Sequence, residues 1–222
     1  MKEYTNKFCR LIYDENDPNK DAIIETLNTR TQEIADFFGI TELEEKIIIK
    51  IYYTIEDFKN SLLPYLKDGK YYNWMIGHTC DGNVNKLAFN CYDETSHKGA
   101  TLKNFLDTIV HEIVHKMHHT IKGNNHTENG WFHEALAVNL SNQEYMECSI
   151  DCTLEDLKNN YEETNNAYHI SAILGRYLLQ NYSHDFIISI CKDETILDTF
   201  APTFFEEIKK EQENKLGGQH KI

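Results

Sequence analysis

Apolar residues recur at Leu102, Phe105, Leu106, Ile109, Val110, Ile113, Val114 and Met117. This is the i, i+3, i+4, i+7 spacing of one buried helix face, and it predicts an amphipathic helix over Thr101–Thr120. Phe132, Ala135, Leu136 and Leu140 repeat the spacing and predict a second helix downstream. Closer to the start of the chain the period shortens. Lys46–Tyr53 (KIIIKIYY) is rich in β-branched residues and reads as a strand, as does Lys7–Tyr13. Asn85–Cys91 (NKLAFNC) alternates Leu87, Phe89 and Cys91 against Lys86, Ala88 and Asn90, the pattern of a half-buried third strand. Asp17-Pro18 opens a helix with Ile24, Leu27, Ile34 and Phe38 on its face and Gly39 at its end. Thr54 with Asp57 resembles a capping box for a short helix to Leu63, and Pro64–Asp81 is rich in loop residues.

The second half reads as helical throughout. Thr153 caps a short helix through Tyr161, and Thr164 or Asn165 starts another with Ile170, Ile173, Leu174, Tyr177 and Leu178 on its buried face. Asp185–Cys191 and Pro202–Leu216 read as closing helices, the latter stopped by Gly217-Gly218. The expected fold is therefore α+β, one domain over residues 1–222 with two lobes. Residues 1–120 would form a small mixed sheet with helices, including the Thr101–Thr120 helix at a cleft, and 121–222 a helical lobe.

Composition narrows the function classes. A content of 41% hydrophobic and 12% aromatic residues is that of a folded globular chain. A net charge of −14 with no basic stripe argues against nucleic acid and anionic membrane surfaces as partners. No stretch approaches the ~20 apolar residues of a membrane-crossing helix. The start, MKEYTNKFCRLIYDEND, lacks a secretory apolar region, so a cytoplasmic location is expected. The six cysteines are scattered with no C-x-x-C pair and read as reduced thiols rather than as a zinc site.

The chemistry concentrates on the first amphipathic helix, in His111-Glu112-Ile113-Val114-His115. At about 100° per residue His111 and His115 lie one turn apart on a stripe beside the apolar face. Two imidazoles so placed can hold one Zn²⁺ at about 2.0–2.1 Å each, with Glu112 aimed off the stripe, within reach of a water. A metzincin-type third ligand would need Gly at 118 and His at 121, where His118 and Ile121 stand. The next candidate is Glu134, beside the face of the second helix and separated from His115 by the 18 residues 116–133. His118 and His119 are spare histidines on the first helix, and His126 and Glu128 are spare ligands in the polar loop Gly123–Gly130.

H-E-x-x-H followed at this distance by Glu, inside the string Trp131-Phe132-His133-Glu134-Ala135-Leu136-Ala137, resembles the gluzincin metallopeptidases, most of all the small peptidase-MA-like proteins called minigluzincins. The resemblance implies zinc as cofactor, His111, His115 and Glu134 as its ligands, and Glu112 as general base for hydrolysis of a peptide or protein substrate. It implies that Asn85–Cys91 is the sheet edge on which an extended substrate lies, with backbone groups of Ala88 and Asn90 lining the groove. Tyr168, leading the run Tyr168–Leu178, is the implied oxyanion donor, with His169 second. Two positions depart from the family pattern. Ala135 stands where Gly is usual. Val138 stands where thermolysin-like enzymes place the Asp that steadies the first histidine, a task left to Asp107 or Asn139. The alternatives from other classes are a catalytically silent zinc-binding interaction protein, a self-inhibited precursor, and a toxin-like protease with a single target.

Overall fold

The computed structural model describes residues 1–66, 69–80, 82–122 and 129–219, the side chains at 80 and 216–219 excepted. His126 and Glu128, and the loop that holds them, lie outside the described residues. The fold is mixed α+β. The chain divides into two compact units, Met1–Met117 and His118–Ile222.

The first unit carries a five-stranded sheet of β1 (Lys2–Thr5), β2 (Cys9–Tyr13), β3 (Ile47–Tyr52), β4 (Gly77–Cys80) and β5 (Asn83–Leu87), in the order β1-β2-β3-β5-β4. The three inner strands run parallel and both edges are antiparallel. Parallel neighbours need crossovers, and helices α1 (Lys20–Phe38) and α2 (Ile55–Leu62) supply them, α1 against β2 and α2 against β3 and β5. In β3 the alternate residues Ile47, Ile49 and Ile51 are buried, as the isoleucine-rich run requires. They join Leu11, Ile23, Leu27, Phe58, Val84 and Leu87 in the core, each worth about 1.5–3 kcal/mol of burial. Gly39 closes α1 in the left-handed region (φ 67°), where Ile40 N–H reaches back to Ala35 O at 2.8 Å.

The strand expected over Asn85–Cys91 is corrected by this topology. It runs over Asn83–Leu87, lies inside the sheet between β3 and β4, and is buried on both faces over Val84–Leu87. Residues Phe89–Glu94 form a 3-10 turn instead. Ala88 is 1% exposed, its N–H donates to Tyr52 O at 2.8 Å and its carbonyl accepts from Cys91 N–H at 3.0 Å. Asn90 is exposed and lines a small hollow with Asp14, Asp17 and Tyr53. Neither residue belongs to a sheet edge. That edge is β4, within the stretch expected to be loop.

The helix α3 (Leu102–Ile121) forms as its spacing predicts. The second unit then adds α4 (Gly130–Ser141), α5 (Leu154–Asn159), α6 (Ala167–Asn181), α7 (His184–Lys192) and α8 (Ile196–Gln219). Thr153 caps α5 in a full capping box with Asp156. The last helix continues through Gly217 and Gly218, which do not stop it, and it includes Pro202. Trp131, Phe132, Ala135, Leu136, Ala137 and Val138 are all buried, so α4 is a core helix rather than a surface one. It packs closely on α6. Asn139 Nδ2 donates to Ala135 O at 2.8 Å on its own helix and to Ala172 O at 2.9 Å on α6. A Cβ at Gly175 would overlap the Ala135 carbonyl oxygen and stand 2.5 Å from Asn139 Nδ2. Only glycine fits there.

Gly175→Ala must push α6 off α4 and is expected to cost about 1–3 kcal/mol of stability, read as a lowered midpoint in urea or heat denaturation. An unchanged midpoint would show that the helices can separate freely.

Candidate metal centre

Within the first unit, α3 sets His111 and His115 one turn apart with their Nε2 atoms at 2.9 Å and their rings nearly perpendicular. A tetrahedral zinc with bonds of about 2.0–2.1 Å needs ligand atoms about 3.3 Å apart, so the rings have only to open by a few tenths of an ångström. His111 is 8% exposed and His115 half-buried.

Glu112 points to another side of α3 and meets the sheet edge. Thr79 on β4 donates its hydroxyl to Glu112 Oε2 at 2.6 Å. A Cβ at Gly77, two residues earlier on that strand face, would stand 3.3 Å from Glu112 Oε1 and 3.5 Å from Lys86 Nζ. Lys86 is fully buried on β5, its ammonium 5.3 Å from the Tyr92 ring centre and 5.8 Å from that of Phe105. Burial pushes the Lys86 amine down to about 7, with the Glu112 charge opposing. Burial also lowers His78, again against Glu112. Glu112 is thus a carboxylate tethered by one hydroxyl and faced by a buried amine.

The backbone of β4 adds a second property. Leu87 N–H donates to Ile76 O at 2.9 Å, and the register pairs Gly77 with Lys86 and Thr79 with Val84. In an antiparallel ladder this makes 76, 78 and 80 the residues that bond to β5. The N–H and C=O groups of Gly77 and Thr79 therefore point to the outer side, where no strand pairs among the described residues.

Within the second unit, Glu134 is half-buried on α4. Tyr161 lies near it: burial pushes the phenol up, and the Glu134 charge adds to the shift. The Tyr161 hydroxyl is 3.2 Å from Ser171 Oγ. Tyr168 donates to Gln143 Oε1 at 2.7 Å, and His169 Nδ1 accepts from Met146 N–H at 3.4 Å. Tyr161, Thr79 and Lys86 carried no signal in the sequence that singled them out. Asn139, one proposed support for His111, has its amide nitrogen committed to Ala135 and Ala172, whereas Asp107 binds Lys103 Nζ at 2.5 Å.

Among the described residues, two groups could hold a metal ion, each with three ligand atoms within 4.8 Å of one another: His111, His115 and Glu134, and His118, His133 and Glu194. The first is the trio that the family resemblance implies. Its donor set of two imidazoles and a carboxylate suits a transition metal such as zinc.

No protein-family model, curated protein or solved structure matches this chain. No described helix is long and apolar enough to cross a membrane.

The lysine sets a pH test. The unfolded chain keeps the Lys86 proton up to about 10.5 and the folded chain releases it near 7, so stability rises with pH across that interval. Between about pH 7 and about pH 8.5 the urea-unfolding free energy should climb by about 1–2 kcal/mol from this group, and Lys86→Met should remove that climb. A variant with the same pH slope as the parent would contradict the buried amine.

Proposed function

We propose that this chain is a zinc-dependent peptidase that hydrolyses peptide bonds. The observation that carries the reading is the grouping of the His111, His115 and Glu134 ligand atoms, with Glu112 the next residue after the first ligand and tethered to Thr79. Three protein ligands leave a fourth position for water or substrate, as catalytic zinc sites do and structural ones do not. When bound, zinc would supply Lewis acidity, polarising a carbonyl and lowering the pKa of water from about 15.7 toward about 7.

The chain's own residues supply the rest. Glu112 takes a proton from the attacking water and returns it to the departing amine nitrogen. The Thr79 hydroxyl holds one carboxylate oxygen and leaves the other to receive the proton. The outward N–H and C=O groups of Gly77 and Thr79 offer main-chain pairing to an extended peptide beside Glu112. This moves the substrate edge from Ala88 and Asn90 to β4. Tyr161, near Glu134 and 3.2 Å from Ser171 Oγ, is a further candidate hydroxyl for holding the developing oxyanion. Tyr168 and His169 remain the residues implied by the family resemblance.

One feature favours the silent zinc-binding alternative: the fully buried Lys86 amine interacts electrostatically with Glu112, the partner a carboxylate engaged in structure would have. The two readings part in one experiment. The zinc-loaded chain is incubated with a broad peptide library, and products are read by mass spectrometry beside Glu112→Gln. The peptidase reading expects cleavage that falls by about 10²–10⁴-fold in the variant while zinc stays bound. Cleavage that survives Glu112→Gln rules out the base assignment, and a zinc-loaded parent that cuts nothing leaves the binding protein.

A further inference from the structure

A second cluster of the same donor types lies wholly within His118–Ile222. His118 comes from the last turn of α3, His133 from the first turn of α4, and Glu194 from the turn between α7 and α8. His118 is 3% exposed, and the Glu194 side chain is 0% exposed. The two imidazole rings stand 5.0 Å apart at 88°. His133 Nε2 is 2.7 Å from Glu194 Oε1.

We propose that His118, His133 and Glu194 bind a second divalent transition-metal ion, zinc by the chemistry of the donors. Three ligand atoms within 4.8 Å of one another, one pair at 2.7 Å, need only modest adjustment to surround one ion. Two imidazoles and one carboxylate are the borderline donors that zinc prefers over calcium or magnesium. A carboxylate with no solvent exposure needs a cation beside it, because burying its charge alone is prohibitive. In the structure that cation is Lys122, its Nζ 2.8 Å from Glu194 Oε1 and 3.4 Å from His133 Nε2. Lys122 follows the last residue of α3, and its flexible stem lets the ammonium withdraw when an ion takes the carboxylate. The bound ion ties together three segments distant in sequence and so braces the helical unit.

This site does not depend on the peptidase reading, and the test separates the two. The full chain is incubated with excess Zn²⁺, gel-filtered, and its zinc per chain measured by inductively coupled plasma mass spectrometry. The proposal expects a further zinc in the parent beyond the His111/His115/Glu134 site, lost in Glu194→Gln and in His118→Gln and kept in the His111→Gln/His115→Gln double variant. If only the first cluster fails as a site, the double variant matches the parent while Glu194→Gln and His118→Gln still lose zinc. A parent whose zinc content is unchanged by both Glu194→Gln and His118→Gln overturns the proposal. Two measurements leave all the proposed ligands intact and guard against variants that do not fold. Co²⁺ added to the His111→Gln/His115→Gln chain should give the visible bands of a low-coordinate site, and their absence overturns the proposal. Lys122→Ala should bind zinc several-fold more tightly, and unchanged or weaker binding overturns the exchange of Lys122 for the ion.

Discussion

One turn of helix is the constraint on which the remaining chemistry depends. At about 100° per residue, the fourth residue along from His111 returns to nearly the same direction, while the next one points well aside. Both imidazoles therefore meet at 2.9 Å, and Glu112 is delivered to the sheet edge, where Thr79 receives it. The helix can do this because Phe105, Ile109, Val110, Ile113, Val114 and Met117 are buried along its other face and hold its rotation about its own axis. A rotation that exposed those residues would cost several kcal/mol and would also aim the histidines elsewhere.

Buried polarity is the second theme of the molecule. Lys86, Glu194, His118 and Gln212 are each at most 3% exposed, a state that charged and amide side chains reach only with compensation. Glu194 has it in full: burial raises its carboxyl, yet hydrogen bonds from His133 and Lys122 override burial and hold it down to about 2. Gln212 on α8 spans Glu147 Oε2 at 2.9 Å and Cys148 O at 3.1 Å, while Arg176 and Lys215 bind the same Glu147 carboxylate. Those bonds fasten the irregular stretch after α4 to α6 and α8. Among the described residues Lys86 is compensated by aromatic faces and by the Glu112 charge, and burial lowers the hold of its amine on the proton. Two of these groups, His118 and Glu194, are proposed metal ligands and a third, Lys86, lies beside the proposed base, where buried polar groups are most informative about function.

How much was legible in the chain depended on how local the signal was. The helices α1, α3, α4 and α6 follow their apolar periods, and Thr54 and Thr153 cap α2 and α5 as their spacing to Asp57 and Asp156 suggests. The edge strands left no such trace. Lys2–Thr5 is mostly exposed, and Gly77–Cys80 reads Gly-His-Thr-Cys, so neither alternates between apolar and polar. The inner strand β5 misled for the opposite reason. It is buried on both faces, so its lysine lies inside, and a reading that turned Lys86 toward solvent shifted the strand toward Cys91.

The amino-acid order alone determined the spacing of His111, Glu112 and His115 on one turn, the core character of the residues around Glu134, and the acidic balance of the chain. These are properties of neighbours within a few residues, where backbone geometry leaves little freedom. Only the tertiary structure decided which strand forms the sheet edge, that Thr79 holds Glu112 across 33 positions, and that Glu194 meets His133 across 61. Such contacts are the outcome of packing between distant segments, where many partners of equal chemistry compete and close fit selects one.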